Sequence, residues 1–211
     1  MRSSNALPVG RIGENRHICA FFHGEEERYR VLLPFVREGF DRGEKAVHIV
    51  DPELRSDHAR RLESLGIDVN AAIGEGRLEL ETWDEAYLRG GAFDQERTLL
   101  LLEDKLSSAM RRGFPLTRLI AHMEWSLDGR ADPEALVEYE ARFNRQFPDC
   151  PDWVLCTYDL TRFRADVAID VMRTHPLLLI GGTLLENPFY TPPDRFLREV
   201  RERKARRNGG H

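Results

Sequence analysis

Apolar residues fall into short runs separated by longer amphipathic stretches. His17-Ile-Cys-Ala-Phe-Phe22, Lys45-Ala-Val-His-Ile-Val50, Leu119-Ile-Ala-His-Met123, Trp153-Val-Leu-Cys-Thr-Tyr158 and Leu177-Leu-Leu-Ile180 are near-continuous runs of strand length. Leu78-Glu-Leu-Glu-Thr82 alternates instead, which predicts a short strand less apolar than the others. Between the first two runs, Tyr29, Leu32, Leu33, Val36 and Phe40 recur at spacings of three and four, one face of a helix that Gly43 ends. Pro34 lies inside that helix and predicts a bend or a locally lost hydrogen bond. Asp51-Pro52 starts a further helix, with proline in the first turn where it is tolerated. Asp94 caps another, running to about Arg112 and buried along Leu99, Leu102, Leu106 and Ala109. Asp132-Pro133 opens a helix on Leu136, Tyr139 and Phe143, and Phe163 to Thr174 forms one on Val167 and Val171. Gly181-Gly182 reads as a turn from the sixth strand into Thr183-Leu-Leu, a hairpin partner.

Strands alternating with helices of this length imply right-handed crossovers and a mainly parallel sheet. The continuous apolar runs agree, because parallel strands are covered on both faces. The predicted fold is α/β: a three-layer, mainly parallel sheet with helices on both faces and a C-terminal antiparallel hairpin. Neither an internal repeat nor a low-complexity linker divides the chain. The sequence therefore predicts one domain over residues 16–200, with a mobile leader at 1–15 and a basic mobile tail at 201–211.

Composition narrows the class. The 211 residues suit one larger single-core domain, and 41% hydrophobic content is too apolar for disorder. A net charge of −5 gives no reason to expect direct nucleic-acid binding, which needs clustered positive charge. No apolar run approaches the roughly 20 residues that span a bilayer, and the first residues lack a secretory apolar region. Cys19, Cys150 and Cys156 show no CxxC spacing, so neither a disulfide framework nor a zinc cluster is indicated and the cytosol is the expected compartment.

In parallel sheets the ligand crevice lies outside the carboxyl ends of the strands. That rule nominates Phe22, His23, Asp51, Thr82, Trp83, Glu124, Trp125, Tyr158 and Asp159, with Glu25 in the first strand-to-helix turn. A phosphate loop there would need glycines and a lysine, whereas Phe22-His-Gly-Glu-Glu-Glu-Arg28 offers one glycine, no lysine and three consecutive carboxylates. Those acids either cap and solvate the helix or occupy the place of an anion; both readings disfavour triphosphate. Glu124-Trp125 supplies either an acceptor and a wall for a pocket, or a helix cap and a packed aromatic. Trp83, Trp125 and Tyr158 at one sheet edge would line a largely apolar cavity, with Glu124 and His23 at its polar rim.

Other chemistry has less support. The histidines show neither HxxxH nor HxH spacing, His48 and His122 suit satisfied core positions, and no metal site is indicated. No G-x-S-x-G elbow is present, and Cys19 and Cys156 should be buried and inert. From Arg195 to Arg207 a basic stretch carries an apolar stripe of Phe196, Leu197 and Val200. It reads either as a solvated, fraying helix or as a segment that docks on a partner.

Several stretches together resemble the MEDS family, the methanogen/methylotroph sensory domains, which include the sensory half of a dichloromethane-responsive regulator. They are His17-Ile-Cys-Ala-Phe-Phe22, Leu33-Pro-Phe-Val-Arg-Glu-Gly39, Val47-His-Ile-Val-Asp-Pro52, Thr82-Trp-Asp-Glu-Ala-Tyr-Leu-Arg-Gly90, Met123-Glu-Trp125, Glu138-Tyr-Glu-Ala-Arg142, Leu155-Cys-Thr-Tyr-Asp159, Arg173-Thr-His-Pro176 and Glu186-Asn-Pro-Phe-Tyr190. The resemblance covers about residues 15–200. It implies a core like RecA or the circadian-clock ATPases with a degenerate nucleotide loop, and sensing of small hydrocarbon derivatives passed to an attached output module. No helix-turn-helix or kinase-type output is apparent in this chain, so a sensor acting through a partner is expected.

The leading expectation is a non-catalytic sensor: a small apolar or weakly polar ligand enters the carboxyl-end crevice and biases a surface that meets a regulatory protein or a second copy. Residual nucleotide binding on the ancestral scaffold and a ligand-free interaction scaffold are the alternatives. The sequence names no cofactor.

Overall fold

The computed structural model describes residues 15–208; residues 1–14 and 209–211, which hold most of the predicted leader and the end of the predicted tail, lie outside the described residues. Seven strands form one sheet in the order β3-β2-β4-β5-β1-β6-β7. They are β1 (His17–Phe22), β2 (Lys45–Val50), β3 (Leu78–Thr82), β4 (Thr117–His122), β5 (Trp153–Asp159), β6 (Leu177–Ile180) and β7 (Thr183–Glu186). All pairings are parallel except β6 with β7. Gly181 and Gly182 join those two with φ of +56° and +78°, the positive values a tight two-residue hairpin requires and glycine supplies without strain.

Helices cover both faces, as the continuous apolar strands predict. One layer holds α1 (Glu25–Asp41), α2 (Arg55–Ser64) and α3 (Val69–Gly74); the other holds α4 (Gln95–Arg111), α5 (Pro133–Gln146), α6 (Ala165–Thr174) and α7 (Pro193–Asn208). Alternation along each strand divides the core between them. Ile18, Ala20 and Phe22 pack with Leu32, Phe35 and Leu62, whereas Cys19 and Phe21 pack with the α4–α7 side. Burying each such large side chain contributes about 1.5–3 kcal/mol.

Local chemistry sets the boundaries. Asp94 accepts from the amide of Arg97, so the predicted cap is in place, and Asp132, at the predicted helix start, accepts from that of Glu134. Asp51 accepts from the amide of Glu53 and opens a short 3₁₀ turn (Pro52–Leu54) ahead of α2. A second 3₁₀ turn, Met123–Leu127, follows β4 directly. Helix α1 runs unbroken through Pro34. The polar positions of edge strand β3 have partners: Lys105 on α4 donates to Glu79 and Glu81 at 2.7 Å each.

The C-terminal helix departs from the docking reading. Phe196, Leu197 and Val200 are buried in the core beneath α7 rather than offered to a partner. Residues 201–208 of the predicted tail are helical, with Arg203 on Asp170 and Lys204 on Glu138, each at 2.6 Å. The apolar stripe outweighs the surrounding charge because the acids of α5 and α6 neutralise the basic face. Among the described residues no helix is long and apolar enough to cross a membrane.

Candidate functional site

The first strand-to-helix turn positions the chemistry at the carboxyl edge. Gly24 has φ of +84°, a value L side chains rarely adopt, and lets β1 turn sharply into α1. One turn later Arg28 reaches back beneath the sheet edge with its side chain 1% exposed. Its Nη1 donates to Glu25 Oε1 at 2.7 Å and lies 3.3 Å from His122 Nδ1, while Nη2 donates to Glu124 Oε1. That same Glu124 oxygen accepts from the Asp159 amide at 3.1 Å, joining α1, the end of β4 and the end of β5.

Asp159 ties down the turns on either side. Its Oδ1 accepts from the Gly24 amide at 3.1 Å and from the Thr161 amide and hydroxyl at 2.9 and 2.7 Å. Burial works to raise its carboxyl, but these hydrogen bonds and Arg28 hold it below the usual carboxylate range. Glu25 moves the other way: burial raises it, Arg28 opposes, and Glu124, Asp159 and Asp51 reinforce the rise. Beneath this network Tyr29, His58 and His48 are linked at 3.0 and 2.8 Å. Burial keeps His48, His58 and His122 neutral, with Arg28 adding to the effect on His58 and His122.

A cleft of about 330 Å³ opens at this edge, bounded chiefly by Asp51, Trp83, Asp84, Glu124 and Arg162. Glu124, which lines it, keeps its Oε2 buried without a hydrogen-bonding partner among the described residues. Arg162 Nη1 stands a loose 3.8 Å from Asp51 Oδ2. A somewhat larger opening of about 430 Å³ between α5, α6 and α7 lies away from the strand ends.

Of the ten residues nominated from sequence, Asp51, Trp83 and Glu124 line the cleft, while Glu25 and Asp159 belong to the ion network. The single largely apolar cavity is corrected. Trp125 is fully buried, stacked on Tyr87 and Phe93 at 5.0 and 4.3 Å between ring centroids. Tyr158 is fully buried with its hydroxyl donating to Glu140, and Phe22 packs in the α1–α3 layer. His23 is exposed, its amide donating to Glu27. Strand alternation explains Tyr158, which turns into the α4–α7 layer, and the 3₁₀ turn after β4 folds Trp125 under the edge. The opening is left mainly charged, with the Trp83 ring as its aromatic wall.

Sequence spacing misses a second cluster. In the α4–α7 layer His17 of β1, Glu140 of α5, Cys156 of β5 and His175, just past α6, bring one ligating atom each within 4.8 Å of one another, all buried. Burial lowers the pKa of His17 and of His175 to about 3 and raises the Glu140 carboxyl and the Cys156 thiol. The four come from separate segments, so no local motif announces them.

The profile of the MEDS family, described as the MEthanogen/methylotroph, DcmR Sensory domain, matches residues 16–176. The chain is 25% identical over 165 residues to the transcriptional repressor DcmR of Methylorubrum extorquens (strain DSM 6343 / CIP 106787 / DM4). That alignment covers 78% of this chain and 59% of the repressor, so the chain spans about three fifths of that relative's length.

Proposed function

Because the chain belongs to the MEDS family of sensory domains, we propose that it senses a small, weakly polar molecule in the cleft bounded by Asp51, Trp83, Glu124 and Arg162. The observation that carries this reading is Glu124, which lines the cleft: one oxygen is engaged by Arg28 and the Asp159 amide, and the other is buried without a partner among the described residues. An orphaned buried acceptor costs about 1–3 kcal/mol, which a ligand donor would offset. The Trp83 ring supplies apolar area, and Asp51 with Arg162 supplies polar orientation.

Glu124 also couples ligand to structure. A donor on its free oxygen competes with Arg28 for the carboxylate's charge and so bears on the first turn of α1. A ligand shifts such an equilibrium only by its differential affinity for the two arrangements. The output is contact with a regulatory protein or a second copy of the chain, in keeping with the likeness to a repressor. The core is read as RecA-like with a degenerate nucleotide loop: the turn after β1 carries Glu25, Glu26 and Glu27, and Arg28 there is already paired.

A thermal-shift screen with short-chain alcohols, aldehydes, amines and halocarbons tests the reading. A stabilising hit should be lost in Glu124→Gln and weakened in Trp83→Leu. Hits unaffected by both substitutions would refute this cleft as the sensor.

A further inference from the structure

We propose that His17, Glu140, Cys156 and His175 form a closed, four-ligand tetrahedral site for a divalent transition-metal ion of the zinc class. The geometry carries this. His17 Nε2 lies 3.3 Å from Glu140 Oε2 and 3.3 Å from Cys156 Sγ; His175 Nε2 lies 3.5 Å from Glu140 Oε2, and Cys156 Sγ 3.6 Å from it. Zinc bonds of about 2.0–2.3 Å meeting at the tetrahedral angle give ligand–ligand edges of about 3.3–3.8 Å. Four of the six edges of the site thus match those of a zinc tetrahedron, and the remaining two, from His175 Nε2 to His17 and to Cys156, lie within 4.8 Å and close on the ion.

The surrounding hydrogen bonds aim the ligands inward. Asn144 Nδ2 donates to the carbonyls of Glu140 and Thr174, which leaves its Oδ1 as the acceptor facing His17 Nδ1 at 3.1 Å. His175 Nδ1 lies 2.7 Å from the Val171 carbonyl and must donate to it. Both imidazoles thus carry the proton on Nδ1 and present an Nε2 lone pair to the centre. Among the described residues His175 Nε2 has no hydrogen-bonding partner. The Tyr158 hydroxyl donates to Glu140 Oε1 and leaves Oε2 for the centre. A second partner that orients each ligand is the usual signature of a metal site.

Charge and donor type select the ion. Two neutral imidazoles, a thiolate and a carboxylate neutralise a divalent cation, which a fully buried site requires. The mixed nitrogen, sulfur and oxygen set suits zinc rather than calcium or magnesium, which take oxygen alone. On binding, the Cys156 thiol proton, and any proton on Glu140, leave to solvent. With four protein ligands and no opening, the ion would clamp β1, β5, α5 and the α6–β6 junction rather than activate water. This site lies in the α4–α7 layer and is independent of the carboxyl-edge cleft.

The test is refolding of the full chain with zinc, then with cobalt, under reducing conditions, followed by gel filtration, metal analysis and absorption spectroscopy. About one ion per chain is expected, and cobalt should show a thiolate charge-transfer band with the intense visible absorption of a tetrahedral centre. Cys156→Ser should abolish the charge-transfer band, and Asn144→Ala should weaken zinc about 10–100-fold. Should the Ser variant not fold, the wild-type cobalt spectrum decides. Substoichiometric metal in the refolded wild type, an octahedral cobalt spectrum, or a thiolate band surviving Cys156→Ser would each overturn the proposal.

Discussion

Arg28, in the first turn of α1, donates to Glu124, just past β4, across the carboxyl edge of the sheet with both side chains almost wholly buried. The pair sits where a nucleotide-binding sheet would present free positive charge to phosphate. Here the guanidinium is neutralised by Glu124 and by Glu25.

Nucleotide is therefore not expected to bind at this edge. The turn offers no lysine, and three carboxylates stand at the N-terminus of α1. Calorimetry with ATP and magnesium should give no heat of binding; a micromolar dissociation constant would end this claim.

Breaking the pair from one side should cost more than removing it. Arg28→Met leaves Glu124 and Glu25 without their counter-charge, and the expected loss is about 3–5 kcal/mol. The double substitution Arg28→Met/Glu124→Leu should recover part of that loss, because the wholly buried carboxylate goes with its counter-charge and only the part-exposed Glu25 is left unpaired. Urea unfolding of the wild type, Arg28→Met, Glu124→Leu and the double variant measures this, and simple additivity would show that the pair does not act as a unit.

Acid should destabilise the α1–α3 layer. Burial, then Arg28 and Arg61, lowers the pKa of His58 to about 4. Tyr29 and His48 hydrogen-bond to it, with His122 close by. Its contribution is complete above about pH 6.5, where the unfolded imidazole is also neutral. As pH falls from there towards 4 the unfolded chain takes up the proton first, and stability declines by up to about 3 kcal/mol before levelling. His48 and His122, lowered in the same way, add in the same direction. Urea midpoints between pH 7 and 4 should fall less steeply in His58→Phe; parallel profiles would refute the assignment.

Helix α7 belongs to the core. Truncation after Pro193 should yield an unfolded or aggregating chain, since Phe196 and Val200 are fully buried. Phe196→Ala alone should cost about 3–5 kcal/mol. A truncated chain with native circular dichroism and an unchanged melting temperature would contradict this.

Strand order apart, the sheet was legible because buried parallel strands write themselves as apolar runs, and the cap Asp94 and the helix start at Asp132 as side chains just before helical periodicity. Helix α3 was not, being only Val69–Gly74, too short to show a period. At the site, Asp51, Trp83 and Glu124 followed from position at strand ends. Trp125 and Tyr158 share those ends, but which way a side chain turns there depends on the packing of Tyr87, Phe93 and Glu140 from distant segments. The His17–Glu140–Cys156–His175 cluster was invisible for the same reason: only the fold brings its members together. Phe196, Leu197 and Val200 showed an apolar stripe without saying what it would meet, and it met α5 and α6.

The sensory reading is tested most directly by amide chemical-shift mapping of the isotope-labelled chain with the strongest stabilising compound from the short-chain panel. Perturbations should gather on Asp51, Trp83, Glu124 and Arg162, extend to Gly24 and Arg28 through the Glu124 carboxylate, and vanish in Glu124→Gln. Perturbations confined to another surface, with the carboxyl edge of the sheet unmoved, would contradict it.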